Sequence, residues 1–312
     1  MGARARPGGH AVTALGGRLR AILELARISN LPTCLTNVLV GSAIGVRTIE
    51  PVLGSDAFPW PAVVMIAAGI CAMYVGGMAL NDVVDSEFDA TANPERPIPS
   101  GRISRGAALA LAVLALAGGI ALCAAVSTSA GVAAAGLTAV IVLYDLLHKR
   151  TVHAVWLMGA CRGLVYVAAA IALATFPAWP VLGACAAAMA LYIAGITFAA
   201  RGEHRPDPET PARGRWRHLA LLVVLLPAIV VRPSAWWPAL IAGGAVVVMV
   251  VLGGRALRRS PPRIGDAVMM WLAGICLADA YFLTLLDEPE LAVAAVGCFV
   301  VTRIGHRFIR GT

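Results

Sequence analysis

The sequence predicts an all-α, polytopic membrane protein: a bundle of nine transmembrane helices, with a tenth, shorter segment that either crosses or lies along the surface. Three observations predict it. Hydrophobic residues make up 59% of the 312-residue chain and charged residues only 13%, with a mean hydropathy of +0.81, far from the composition of a soluble domain. Apolar stretches of about 20 residues, long enough to span a bilayer, recur along the whole chain. Positive charge is concentrated in every second loop, as retention of Lys and Arg on the cytoplasmic side demands.

Residues 1–20 are Arg- and Gly-rich without an apolar core or cleavage pattern, and read as a basic arm, not a signal peptide. The transmembrane domain is expected over 21–290, followed by an additional helix and basic tail at 291–312. The apolar stretches run near 28–46, 60–80, 106–126, 130–147, 152–175, 178–200, 218–232, 235–254 and 266–286, with the short one from Leu291 to about Ile304. Small residues such as Gly69, Gly76 and Gly77 within them read as packing positions, since close backbone approach holds helices together in lipid.

The loops fix the expected orientation. Arg4, Arg6, Arg18, Arg20 and Arg27 precede the first stretch, Arg96, Arg102 and Arg105 follow the second, and Lys149 and Arg150 follow the fourth. The segments Arg201–Arg217 and Arg255–Arg263 are equally basic, whereas the intervening links hold only Arg47 and Arg232. The N terminus and these basic loops are therefore expected in the cytoplasm, in a multi-pass protein of a bacterial inner membrane. The net charge of +8 is then a topology signal with some attraction to anionic lipid headgroups, and gives no reason to expect nucleic-acid binding. All seven cysteines fall inside apolar stretches without CxxC spacing, so neither disulfides nor zinc is expected.

The segment Asn81-Asp82-Val83-Val84-Asp85-Ser86-Glu87-Phe88-Asp89 comes directly after the second apolar run. It carries the most functional information. Helical spacing turns Asp82, Asp85 and Asp89 to one side, at a membrane edge where uncompensated charge is expensive. A hard divalent cation removes the repulsion among them, and Mg²⁺ characteristically joins one or two carboxylates to the oxygens of a phosphate substrate. The segment reads as a metal-diphosphate site; the bland alternative is a solvated acidic loop.

The acidic segment and the loop after it form one continuous motif: Asn81-Asp82-x-x-Asp85-x-x-x-Asp89, then Arg96-Pro97-Ile98-Pro99-Ser100-Gly101-Arg102-Ile103-Ser104. This resembles the UbiA-type intramembrane prenyltransferase superfamily, whose NDxxDxxxD signature precedes an R-P-(L/I)-x-S-G loop. The likeness extends to Tyr144…Lys149-Arg150 and to Arg27-Ile28-Ser29-Asn30-Leu31-Pro32, and covers about residues 20–290. It implies a helical bundle around a central cavity open to lipid, binding Mg²⁺ and a prenyl diphosphate at its cytoplasmic end and transferring the prenyl group to a lipophilic acceptor. The family's second acidic pair is missing. Its place reads Arg201-Gly202-Glu203-His204-Arg205-Pro206-Asp207, where Pro206 cannot continue a regular helix without losing a hydrogen bond. Either Glu203 completes a reduced metal site, or Arg201 and Arg205 neutralise diphosphate directly. This degeneracy resembles the EboC-like branch of the superfamily.

The resemblance assigns Asp82, Asp85 and Asp89 to the metal and, with Lys149, to catalysis; at the departure from the family pattern, Glu203 is the residue expected to complete the metal site. Lys149 is the only lysine among 25 basic residues, and a compact ammonium suits a phosphate. Arg96, Arg102, Arg150 and Arg201 are candidate diphosphate clamps, or else simple topology determinants, and Asn81 accompanies the motif. Arg162 stands in the middle of an apolar helix and needs a carboxylate, carbonyls or a wet cavity; Asp279 is the expected partner. Asn37 is expected to line the cavity or to bond a neighbouring helix, and Tyr144 to bound an allylic cation or merely to pack. His148 and His153 read as surface residues. Two other readings keep the motif: a terpene cyclase of the same superfamily, and a prenyl-lipid binder or transporter without catalysis. Donor chain length and acceptor depend on cavity shape.

Overall fold

The computed structural model describes residues 17, 19–53, 58–201, 217–259 and 262–309, with 49–53 and 217 as backbone only. Among these residues the secondary structure is entirely helical. A 3₁₀ turn at Ile28–Asn30 leads into α1 (Leu31–Leu53), followed by α2 (Trp60–Val84), the short α3 (Ser86–Ala92), α4 (Arg105–Val126) and α5 (Thr128–Leu147). Then come α6 (Ala154–Leu173), α7 (Trp179–Arg201), a 3₁₀ segment Arg217–Ile229, α8 (Trp236–Leu257), α9 (Ile264–Leu285) and α10 (Pro289–Gly305). Helices thus occupy every apolar stretch read from the sequence.

Seven of them, α2 and α4 through α9, are long and apolar enough to cross a membrane. The others depart from the simple pattern for physical reasons. In α1 the run is interrupted by Asn37, Ser42 and Arg47, polar groups that face neighbours in the bundle or the far end of the helix. The seventh stretch holds Pro227 and winds as 3₁₀ over 13 residues; at a 2 Å rise it reaches roughly 26 Å, against about 20 Å for an α-helix of equal length. α10 has 17 residues and packs on α9 and α1.

Packing is set by the small residues. α2 lies along α4 in one of the two most extensive pairings, the other being α8 with α9. A methyl group added at Gly69 would come within 2.9 Å of the Gly119 carbonyl oxygen, and one at Gly119 within 2.7 Å of the Gly69 carbonyl, so neither position accepts a side chain without parting the helices. The link between α4 and α5 is the single residue Ser127, whose hydroxyl caps α5 by accepting from Ala130 N at 3.2 Å. α1 touches α2, α6, α9 and α10 and so lies at the centre of the bundle, which sets Asn37 among buried helices.

Candidate active site

The acidic segment sits where α2 gives way to α3. Asp85 closes α2 and opens α3 with an almost helical backbone, its N–H bonding Asn81 O at 2.9 Å and its carbonyl accepting from Asp89 N at 2.9 Å. Asn81, Asp82, Asp85 and Asp89 are all buried. Burial of so much anionic charge requires partners, and each aspartate has them. Arg27 Nη2 lies 3.4 Å from Asp82 Oδ1. Arg96 Nη1 reaches Asp89 Oδ2 at 2.7 Å and Asp82 Oδ1 at 3.6 Å, which brings the first and third carboxylates to one guanidinium. Asn93 Nδ2 donates to the other Asp89 oxygen at 2.9 Å.

Asp85 turns to the exit of α5 instead. Lys149 Nζ lies 3.0 Å from its Oδ1, and His148 Nε2 lies 3.2 Å from its Oδ2. Burial would push the Asp85 carboxyl up, but these two partners outweigh it and hold it below the usual carboxylate range. Burial likewise opposes charge on His148, yet its bond to Asp85 holds it above the usual imidazole range. The expectation that His148 is a surface residue is therefore corrected: its ring stacks on Tyr144 at 5.3 Å and carries the second carboxylate. A turn after a membrane helix carries no periodicity that separates an inward from an outward histidine.

Local backbone geometry supports this arrangement. Arg27 adopts a left-handed conformation, φ 42° and ψ 50°, which is uncommon outside glycine and characteristic of constrained functional positions. Ser100 Oγ donates to Arg96 O at 2.6 Å and Gly101 takes φ 73°, so the Ser-Gly pair shapes the loop that presents Arg96.

The remaining candidates divide. Arg102 is turned to Glu24 Oε2 at 2.5 Å and Glu95 O at 2.7 Å, stapling the loop to the segment before α1 and not to the carboxylates. Arg150 is exposed and takes no part in the pairs described. Arg201 donates to the carbonyls of Thr151, at 3.0 Å, and His148, so it fixes the turn that carries His148 and Lys149. Glu203 lies outside the described residues.

Beneath the charged cluster an apolar cavity opens between α1, α2, α5 and α6, with Tyr74, Tyr144, Asp145 and Arg162 among its lining. Arg162 donates from Nη1 to Asn37 Oδ1 at 3.0 Å and lies 5.6 Å from the centre of the Tyr74 ring. The expected pairing with Asp279 is indirect. Asn37 stands between them, its Nδ2 donating to Asp279 Oδ2 at 2.8 Å, while Thr36 at 2.5 Å and Tyr166 complete the carboxylate's donors. Asp145, not singled out in the sequence, is 2% exposed and accepts from Asn81 Nδ2 at 3.1 Å. Arg27 and His148 also join the site unannounced; the Arg27 match to a family helix start and the Tyr144–Arg150 likeness are the signals that point to them.

The donor set suits a magnesium ion that arrives with a phosphate. No group of three Asp, Glu, His or Cys residues among the described ones is gathered closely enough to hold an ion unaided. Mg²⁺ seldom needs such a cage, because it binds through one or two carboxylates and completes its shell with water and phosphate oxygens. Asp82, Asp85 and Asp89 supply hard oxygen atoms of the right kind, facing cations of the kind that bind diphosphate.

Fold and site together define an intramembrane helical bundle with paired carboxylates and cations at the mouth of an apolar cavity. The chain belongs to the UbiA prenyltransferase family, whose model matches residues 52–275. Among its relatives, digeranylgeranylglyceryl phosphate synthase of Ignicoccus hospitalis is 42% identical over 102 residues, covering 32% of this chain and 30% of that protein. The synthase of the same name from Methanopyrus kandleri is 34% identical over 148 residues, 46% of this chain and 51% of that protein. The matches thus span about half or less of these relatives. The fold is shared with a UbiA homolog from Aeropyrum pernix K1, at TM-score 0.62 and 18% identity over 82% of this chain and 96% of that one. It is also shared with a structure from work on the biosynthesis of digeranylgeranylglyceryl phosphate synthase in membranes, at TM-score 0.55 and 18% identity over 91% and 99% of the two chains.

Proposed function

We propose that this protein is a Mg²⁺-dependent prenyltransferase that moves an isoprenyl group from a prenyl diphosphate to a lipophilic acceptor within the membrane. One observation carries the reading: Asp82, Asp85 and Asp89 are buried beside Arg27, Arg96 and Lys149 at the head of an apolar cavity. Asp82, Asp85 and Asp89 would hold Mg²⁺, with Glu203 as a further ligand. The bound ion would neutralise charge on the diphosphate and so ease its departure.

The chain's own residues account for the rest. Arg27, Arg96 and Lys149, now engaged with carboxylates, are the donors within reach of phosphate oxygens once those carboxylates are occupied. Arg201 serves them by fixing the turn that carries Lys149. Tyr144 and Tyr74 offer aromatic faces to the allylic cation that forms as the carbon–oxygen bond breaks. The apolar lining keeps water from quenching that cation before the acceptor closes on it. Arg162, steadied by Asn37, offers a cation deeper in the cavity for a polar end of the acceptor. The relatives are named for a glycerol phosphate lipid bearing two geranylgeranyl groups, which favours a hydroxyl-bearing lipid as acceptor.

The loop charges favour a cytoplasmic site in a cytoplasmic membrane. The named relatives are archaeal, so they give no support to the bacterial assignment. Mass spectrometry of lipid extracts incubated with the purified protein, Mg²⁺ and diphosphates of different chain length tests the proposal: a lipid should gain the mass of one prenyl group less a hydrogen. An unchanged lipid profile with every donor would contradict it.

A further inference from the structure

We propose that Asp145 is the proton acceptor of the transfer step, the group that takes the acceptor's hydroxyl proton as its oxygen closes on the prenyl carbon. This rests on the prenyl-transfer reading and adds a residue that the acidic motif does not contain.

Asp145 differs from the other three aspartates at this end of the bundle. Those are each matched by a cation within 4 Å. Asp145 has no ion-pair partner among the described residues, and its one side-chain hydrogen bond, from Asn81, goes to Oδ1. Oδ2 is buried with no hydrogen-bond partner among the described residues. A buried polar atom left without a partner is costly, and this one belongs to a side chain that lines the cavity. Its position is informative too. Asn81 begins the acidic motif, so Asp145 stands next to the diphosphate end, whereas Arg162 lies by Tyr74, seven residues or about 10 Å farther along α2.

Among the described residues, the other bases near the cavity mouth are committed. His148 has Nε2 on Asp85 and Nδ1 3.0 Å from the Asp145 carbonyl oxygen. Lys149 is on Asp85 and over the Phe88 ring. The apolar lining leaves no bulk water to take the proton. As a neutral alcohol closes on the allylic cation its oxygen becomes strongly acidic, so in a dry cavity an ether-forming transfer needs a base in reach to take that proton.

The step balances. The allylic carbon–oxygen bond breaks and its electron pair leaves with diphosphate; a lone pair of the acceptor oxygen forms the new carbon–oxygen bond. The O–H proton passes to Asp145 Oδ2, and is handed to the diphosphate as it departs. No oxidant or reductant takes part.

The test separates ionisation from transfer, using detergent-purified full-length protein with Mg²⁺, geranylgeranyl diphosphate and geranylgeranylglyceryl phosphate. Asp145→Asn keeps the shape and an oxygen for Asn81. It should lower ether formation by roughly 100-fold or more, leave acceptor-free release of diphosphate within about twofold of wild type, and be partly rescued in Asp145→Glu. Ether formation near the wild-type rate in Asp145→Asn would overturn the proposal. So would an equal loss of release and transfer in a monodisperse Asp145→Asn protein that Asp145→Glu does not repair. A wild type that releases no diphosphate in the presence of Mg²⁺ would overturn the prenyl-transfer reading itself, and this proposal with it.

Discussion

Lys149 Nζ lies 3.0 Å from Asp85 Oδ1, and the same ammonium sits 3.5 Å from the centre of the Phe88 ring. The chain's single lysine is thereby fixed between the second carboxylate of the acidic motif and an aromatic face. Lys149 keeps 38% side-chain exposure, and a pair with one wet partner contributes little to folding. Its placement is better explained by what binds there.

Lys149→Met should therefore change thermal stability by less than about 1 kcal/mol while raising KM for the prenyl diphosphate about tenfold or more, the equivalent of about 1.4 kcal/mol. Lys149→Arg should restore only part of the loss, since a planar fork cannot take the place of a compact ammonium. Steady-state kinetics beside a melting curve checks both.

Arg96 joins Asp82 and Asp89 through one nitrogen, and its removal should separate metal from substrate. Arg96→Gln leaves the carboxylates less neutralised, so the Mg²⁺ concentration for half-maximal activity should fall while KM for the diphosphate rises. A rise in both would mean that Arg96 only shapes the loop.

The departure at the end of α7 has its own pair of outcomes. Arg201 grips the carbonyls of His148 and Thr151, so Arg201→Gln should loosen Lys149 and lower kcat together with diphosphate affinity. Glu203→Gln, if Glu203 completes the metal site, should raise the Mg²⁺ requirement with little effect on diphosphate affinity at saturating metal. Metal titrations of the two variants distinguish these effects.

The hydrogen-bonded carboxylate in α9 is a matter of stability. Asp279 is fully buried and accepts from Thr36, Asn37 and Tyr166. Asp279→Ala strands those donors and should destabilise the bundle by about 1–3 kcal/mol, read as a lower melting temperature in detergent. Tyr166→Phe removes one donor and should cost only about 0.6 kcal/mol, the average found for interhelical hydrogen bonds in a membrane protein.

The acidic motif was legible because it is local: Asn81 through Asp89, Arg96 and the Ser100-Gly101 turn all lie within one short stretch of chain. The helices were legible because lipid demands long apolar runs with satisfied backbones. Contacts between distant segments were not. Arg27 reaches Asp82 across 55 residues and Asn81 reaches Asp145 across 64, and no spacing rule connects them. Arg102 and Arg96 were both candidate diphosphate clamps in the same loop, yet the fold gives one to Glu24 and the other to Asp89. The partnership of Arg162 with Asp279 was legible as a need for compensation, but not the Asn37 amide that stands between them.

The most direct test of the central claim is release of diphosphate from a prenyl diphosphate by the protein in lipid nanodiscs, wild type against Asp85→Asn, with and without Mg²⁺. Release in the wild type should depend on Mg²⁺ and be matched by prenylated lipid once an acceptor is supplied, and Asp85→Asn should lose at least about 100-fold although that protein remains folded. Equal release by wild type and Asp85→Asn, or release that ignores Mg²⁺, would contradict the claim.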